Sequence, residues 1–149
     1  MRVQGSKMVT QEDIGSFVDS IAGKVRTPSA VAGRLLEEVV ELCLAAGMKS
    51  GDIYGHVTDA LHNQCLKESE RTGKTIFPSQ LVAKFASAED QFKEMAEESA
   101  DVGLVHKDFC HVAHINQEHE ENTKHAKFIQ KTFRIAENGT LYAVKSHIK

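Results

Sequence analysis

The chain has 149 residues, with 18 basic and 21 acidic side chains and a formal net charge of −3. That length suits one domain able to bury its own core, and the charge lacks the basic excess that general nucleic-acid binding requires. The longest apolar runs, such as 42–48, are too short to cross a bilayer, and no apolar stretch follows Arg2 and Lys7. We therefore expect no nucleic-acid partner, no membrane span, no signal peptide and a cytoplasmic location.

The first two predicted elements are helices. Thr10 precedes two acidic residues and an apolar helical pattern, which predicts an N-cap and a first helix over about 10–25. Thr27-Pro28 is a second start signal, because proline at the first helical position loses no hydrogen bond. The second helix runs over about 28–46 and stops at Gly47.

Two further helices flank an irregular stretch. Ser50 begins the third helix, and Gly73 ends it. Residues 74–85 predict a loop with one short helical turn. Ser87 begins a segment that resembles a capping box, so it predicts the start of the longest helix, which runs to about His114.

The C-terminal part changes from helix to hairpin. Asn116 predicts the N-cap of a fifth helix that ends near Lys131. Asn138-Gly139 then lies between two strand-like runs, 132–135 and 140–144. An Asn-Gly pair between such runs is a strong hairpin signal.

The predicted fold class is all-α, a bundle of about five helices with a small C-terminal β-hairpin. We expect a single domain over 1–149, with a helical core over about 10–131 and the hairpin over about 132–145. The cysteines are odd in number, widely spaced and set among apolar neighbours, which predicts buried free thiols. They are Cys43, Cys65 and Cys110.

Three acidic residues lie on one stripe of the second helix. Glu38 and Glu41 share a face at helical spacing, and Glu37 lies one turn before Glu41. The surrounding positions from Leu35 to Leu44 are otherwise apolar. A helix that is apolar nearly all round is typically buried, so we expect these carboxylates in a core environment.

A second acidic pair lies on the fourth helix. Glu98 and Asp101 share one face, and the run 102–105 that follows is apolar apart from Gly103. Acidic residues on helices usually form a solvated face. An ExxD pattern arises by chance roughly 0.6 times in such a chain and an EExxE pattern roughly 0.1 times, so the pair is more informative than either motif. We expect the two helices to face each other across the bundle.

Facing carboxylates require neutralisation. Two unit charges about 4 Å apart repel by roughly 4 kcal/mol at an effective dielectric constant of about 20. Oxygen ligands without thiolate or imidazole select hard cations, magnesium or manganese, and magnesium commonly holds substrate phosphates. The pattern therefore predicts a divalent metal site that serves phosphate chemistry.

The order EExxE then ExxD in a small helical protein resembles the MazG-like, all-α nucleoside triphosphate pyrophosphohydrolase superfamily. The resemblance covers about 28–131. It implies a homodimer or homotetramer that hydrolyses nucleoside triphosphates to monophosphates and pyrophosphate with Mg²⁺, or with Mn²⁺ as the alternative. Glu38, Glu41, Glu98 and Asp101 would bind the metal, while Glu37 and Glu38 would serve catalysis, Glu37 by orienting the water or binding a further ion. The 56 residues between Glu41 and Glu98 exceed the family's usual spacing.

Other polar residues are candidates for substrate binding. Arg34, one turn before Glu38, pairs with an acid or is recruited to phosphate. Asp59 and Asn63 line a base or sugar pocket, or else form a polar stripe at the surface or at a dimer interface. Asn122 and Lys124 contact phosphates, or else are solvated near the end of the fifth helix.

One alternative function belongs to a different class. The chain would then be a non-catalytic helical oligomer, a binding or regulatory module with a divalent-metal site. A carboxylate-bridged di-iron bundle is disfavoured, because it needs Glu-x-x-His on two helices. His106, His111 and His114 do not form that pattern.

Overall fold

The computed structural model describes residues 8–23 and 26–144. It confirms an all-α fold with a small antiparallel hairpin, and 69% of the described residues are helical. A short 3-10 helix lies where one helical turn was predicted, at Pro78–Gln80. The elements are α1 (Gln11–Ala22), α2 (Pro28–Ala45), α3 (Ser50–Thr72), α4 (Ala88–Val112), α5 (Gln117–Phe128), β1 (Phe133–Ile135) and β2 (Leu141–Ala143).

The predicted helix starts are confirmed at three caps. The Thr10 hydroxyl accepts a hydrogen bond from the backbone N–H of Asp13, whose carboxylate accepts from the N–H of Thr10 in return. The Ser87 hydroxyl accepts from the N–H of Asp90, and the Asn116 side chain accepts from the N–H of His119. These side chains satisfy N–H groups that have no partner within the helix.

The ends of the elements depend on backbone geometry. Helix α3 ends at Gly73, whose φ of 69° lies in the left-handed region that suits glycine. In the hairpin, Gly139 has a φ of 82°, and Arg134 pairs with Tyr142 across the two strands. Helix α1 ends at Ala22, and the predicted end at Val25 lies outside the described residues, as does the predicted hairpin end at Lys145.

The chain divides into two compact units. The first unit comprises residues 1–34 and 95–149, and the second unit comprises residues 35–94. The boundaries fall within α2 and α4, so each of these helices contributes residues to both units. The prediction of one domain over residues 1–149 stays a prediction.

Three aromatic rings pack together in the first unit. The ring centroids of Phe17, Phe128 and Phe133 lie 4.8 to 6.0 Å apart in edge-on arrangements. Edge-to-face contacts at this distance are favourable for aromatic rings. Through these three rings α1, the end of α5 and the hairpin pack together, and Val18 of α1 is buried as well.

The second unit leaves its apolar side chains largely exposed. Cys65 is its one buried residue among those described. Of the residues of α2, all of which are described, none is buried, and Leu36 and Val39 are 56% and 39% exposed. The expectation of a buried α2 is therefore wrong for the single chain. The sequence pattern shows that the helix has an apolar surface, but it does not show which element covers that surface.

The apolar residues that follow Asp101 were also expected in the core, and this prediction is wrong for the same reason. Val102, Leu104 and Val105 are 50%, 65% and 71% exposed on α4. The free thiols are confirmed: Cys65 and Cys110 are buried, whereas Cys43 is half-buried. No helix within the described ranges is long and apolar enough to cross a membrane.

Candidate functional site

Helix α2 carries the first set of carboxylates. Glu37, Glu38 and Glu41 are all exposed and belong to the second unit. At spacings of three and four residues, the Cβ atoms of helical neighbours lie about 5–6 Å apart. Glu41 makes no hydrogen bond or ion pair to any described residue, so its carboxylate oxygens are available to a ligand.

Helix α4 carries the second set. Glu98 and Asp101 lie three residues apart in the first unit, and both are exposed. Neither forms a hydrogen bond or ion pair within the part of the chain that the structure describes. This pair therefore has the same character as Glu41: carboxylates on a helix surface without a protein cation beside them.

The chemistry of these donors fits magnesium, because all of them are carboxylate oxygens. Within residues 8–23 and 26–144, no group of three or more His, Cys, Asp or Glu side chains is arranged to hold a metal ion. Each helix by itself supplies two or three of the required ligands. The metal site therefore stays a prediction that needs residues from both units.

Arg34 lies near the end of the hairpin. Its guanidinium carbon is 5.3 Å from the centroid of the Tyr142 ring, and that of Arg134 is 5.0 Å from the same centroid. Both distances fall in the range of a cation–π interaction. Sequence reasoning missed Tyr142 here, although the Asn-Gly hairpin signal predicts its pairing with Arg134 once the register is known.

The other predicted substrate contacts have mixed surroundings. The side-chain oxygen of Asn122 accepts a hydrogen bond from the backbone N–H of Val9 at 2.9 Å, which ties α5 to the segment before α1. Lys124 is exposed on α5, and Asp59 and Asn63 are exposed on successive turns of α3. Asn122 thus has a structural contact that the sequence did not predict.

An ion pair lines a cleft in the first unit. Arg26 donates to the carboxylate of Asp19 at 2.7 Å, and both side chains are partly buried. The cleft has a volume of about 430 Å³, and Thr27, Pro28 and Val31 complete its lining. Because Arg26 and Asp19 neutralise each other, the cleft offers no net charge to a ligand.

A second concavity lies within the second unit, between α2 and α3. Its volume is about 320 Å³. Leu36, Val39 and Val57 contribute apolar walls, and His56 is the one ionisable group besides the Cys43 thiol in its lining. We call this concavity the α2–α3 groove. Its surface suits an apolar occupant and not a phosphate.

Cys110 packs against polar neighbours near the end of α4. Its sulfur lies 3.7 Å from the Nε2 atom of His106 and 3.5 Å from the side-chain oxygen of Gln117. Gln117 in turn donates to the carboxylate of Glu121 at 2.7 Å. His106 thus contacts Cys110, which lies one turn further along α4.

An exposed ion pair joins Arg71 and Glu68 near the end of α3. Arg71 donates two hydrogen bonds to the carboxylate of Glu68, one from Nε at 2.9 Å and one from the terminal nitrogen. Hydrogen bonding to the charged form favours ionisation. The bonds from Arg71 therefore lower the pKa of Glu68 and raise that of Arg71.

No family model, curated protein or solved structure matches this chain. The resemblance to the MazG-like superfamily therefore rests on the two acidic motifs of α2 and α4. A functional assignment has to be argued from the carboxylates themselves.

Proposed function

We propose that this protein is a magnesium-dependent nucleoside triphosphate pyrophosphohydrolase. The observation that carries the proposal is the set of exposed carboxylates on α2 and α4, of which Glu41, Glu98 and Asp101 have no hydrogen-bonding or ionic partner among the described residues. Like charges three or four residues apart on a helix repel each other by a few tenths of a kcal/mol, and a bound cation would offset this repulsion. Carboxylate-only donors suit magnesium and its phosphate ligands.

The residues divide into two roles. Glu38, Glu41, Glu98 and Asp101 would hold the ion, with manganese as the alternative. Glu37 accepts a hydrogen bond from the attacking water and orients it, and Glu38 assists in holding that water. When bound, magnesium would neutralise charge on the triphosphate and make the attacking water more acidic. The water adds to the α-phosphorus and loses a proton to the solvent, and the bond to the oxygen that bridges to the β-phosphate breaks, which yields a monophosphate and pyrophosphate.

The remaining contacts follow from the same proposal. Arg34, Lys124 and Asn122 would contact the phosphate chain, while Asp59 and Asn63 would offer polar atoms to the base or sugar. A homodimer or homotetramer and a cytoplasmic location also stay predictions.

The decisive experiment measures pyrophosphate release. The purified chain is incubated with magnesium and a panel of ribo- and deoxyribonucleoside triphosphates, and we expect turnover of at least one of them. Glu38→Ala and Asp101→Ala should abolish release while helical circular dichroism is retained.

A matched control lies on the same helix. Glu89 is also exposed on α4, and at about 3.6 residues per turn it projects from the side of the helix opposite Glu98, so Glu89→Ala should leave turnover unchanged. An intact fold that hydrolyses no nucleotide would exclude the enzyme. Full activity in both Glu38→Ala and Asp101→Ala would exclude these residues as the site.

The second candidate function is the non-catalytic oligomeric binding module. The exposed apolar surface of α2 and α3 favours it. Magnesium binding by the wild-type chain without pyrophosphate release, measured by calorimetry beside the assay, distinguishes this module from the enzyme.

A further inference from the structure

We propose that Arg134 and Tyr142 of the C-terminal hairpin join Arg34 in a binding site for the triphosphate chain of a nucleotide. We call these three residues the hairpin site. The choice of ligand rests on the proposed function, whereas the site itself depends only on contacts within the first unit, to which all three residues belong. Neither hairpin residue belongs to the acidic motifs of α2 and α4.

The two faces of the hairpin have different surroundings. Phe133 of β1 packs on Phe17 and Phe128, so one face adjoins the aromatic cluster. Successive residues of a strand point to opposite faces, which places Arg134 on the face away from this cluster. Arg134 and Tyr142 are directly opposite each other in the register of the hairpin, so their side chains share that face. The hairpin therefore presents a cation beside an aromatic ring on the face that the aromatic cluster does not cover.

The Tyr142 ring brings two guanidinium groups close together. The guanidinium carbon of Arg34 lies 5.3 Å from the ring centroid, and that of Arg134 lies 5.0 Å from it. An anion bound between the two groups would lie within about one Debye length, about 10 Å at 0.1 M salt, of both positive charges. Both arginines therefore attract the same ligand.

The donors of Arg134 are available to such a ligand. Arg134 is exposed and makes no hydrogen bond or ion pair with any described residue. A cation–π contact does not use up the hydrogen-bonding capacity of an arginine, which has five N–H donors. Arg34 has a further interaction within the chain, so Arg134 is the residue on which the affinity mainly depends. Tyr142 is a positioning residue, because its ring holds the guanidinium of Arg134 in place before a ligand arrives.

The chemistry of the hairpin site favours a phosphate chain. A planar guanidinium forms paired hydrogen bonds to two oxygens of one phosphate or carboxylate. A carboxylate offers two oxygens, which is enough for one guanidinium, whereas a triphosphate offers oxygens to both arginines. A terminal phosphate also carries a charge of about −1.5 to −2 at neutral pH. A triphosphate therefore matches the hairpin site better than a carboxylate does.

The test is isothermal titration calorimetry of the full chain with inorganic tripolyphosphate, without metal and without nucleotide. We expect Arg134→Gln to weaken binding by at least about 10-fold, because it removes a charge-assisted contact. Tyr142→Leu removes the ring and should weaken binding by about 3-fold, whereas Tyr142→Phe keeps the ring and should bind as the wild type does. Lys107→Gln is the matched control, because it removes one positive charge from an exposed position in the same unit.

Some outcomes overturn the proposal. A wild type that does not bind tripolyphosphate does so, and so do equal affinities of Arg134→Gln and Lys107→Gln. Tyr142→Leu with the affinity of the wild type excludes the ring from the site. Circular dichroism checks that the variants are folded.

If the variants are not folded, the two tyrosines of the wild type decide. Tripolyphosphate should shift the NMR signals of the Tyr142 ring and leave those of Tyr54, which is 75% exposed in the second unit. Unchanged signals of Tyr142, or equal shifts of both rings, exclude the hairpin site.

Failure of this proposal is distinguishable from failure of the proposed function. Binding of tripolyphosphate that depends on Arg134, in a chain that releases no pyrophosphate, would refute the enzyme and leave the hairpin site standing. Pyrophosphate release with a KM that Arg134→Gln leaves unchanged would refute the hairpin site and leave the enzyme standing.

Discussion

The two units differ in which segments of the chain pack together, although both expose apolar side chains. In the first unit, segments distant in sequence meet: Phe17 of α1 packs on Phe128 and Phe133 from the end of the chain. The second unit is one continuous stretch, 35–94, in which the helices follow each other along the chain. A helix face becomes buried when a distant segment returns to it, and no such return is present within the second unit.

The candidate site is divided by the same boundary. Glu37, Glu38 and Glu41 belong to the second unit, whereas Glu98 and Asp101 belong to the first. The proposed hydrolase needs both sets of carboxylates. Variants in the two units therefore test whether the two sets of carboxylates act together.

The largest expected effect is on catalysis. Glu41→Gln in the second unit and Glu98→Gln in the first keep the side-chain volume but remove the charge. Each should lower kcat/KM for pyrophosphate release by at least about 100-fold, because neutral amides bind a hard cation poorly. Kinetics of the two single variants and of the double variant are compared.

The double variant tests whether the two carboxylates act as one site. Residues that act as one site are strongly non-additive in kinetics, so Glu41→Gln with Glu98→Gln should lose little more than either alone. Multiplication of the two losses would mean that the carboxylates act independently. Glu89→Gln serves as the exposed control on α4, because Glu89 projects from the opposite side of the helix.

Local signals in the sequence predicted the fold well. The Thr10, Ser87 and Asn116 caps, the stop at Gly73 and the Asn-Gly hairpin each depend on residues within one turn of the chain. These interactions are short-range, and side-chain chemistry alone specifies them. Five helices and a hairpin could therefore be predicted.

Burial and site geometry could not be predicted in the same way. The apolar pattern of α2 is compatible both with a core inside one chain and with an interface between chains, because both require the same side chains. The contact of Asn122 with Val9 spans 113 residues. The position of Tyr142 between two arginines depends on where β2 meets α2, which no local pattern specifies.

The second-largest expected effect is on stability, and it is tested by comparing one phenylalanine from each unit. Phe133→Ala removes a ring from the aromatic cluster of the first unit and should lower the free energy of unfolding by about 2 kcal/mol, less than a fully buried ring because Phe133 is half-buried. Phe92 is 67% exposed in the second unit, so Phe92→Ala should change stability by no more than about 0.5 kcal/mol. Urea unfolding of both variants measures the difference, and equal losses would contradict the distinction between the units.

A smaller effect is expected at the arginines around Tyr142. Exposed cation–π contacts contribute about 0.5–1 kcal/mol. Tyr142→Leu should therefore lower stability slightly, and Arg134→Gln should cost much less in that background than in the wild type. A double-mutant cycle measures this coupling. A coupling of zero would show that the guanidinium of Arg134 gains nothing from the ring.

The smallest effect concerns a local contact within the second unit. Because Arg71 donates hydrogen bonds to the Glu68 carboxylate and lowers its pKa, the pair stabilises α3 above the ordinary glutamate pKa, and this contribution disappears as the pH falls through the lowered pKa. Carbon-13 NMR titration should find the Glu68 pKa below its ordinary value, and Arg71→Gln should return it there. The two residues lie three positions apart on one helix, so the contact needs no other segment of the chain. A Glu68 pKa at its ordinary value in the wild type would mean that the ion pair does not persist in solution.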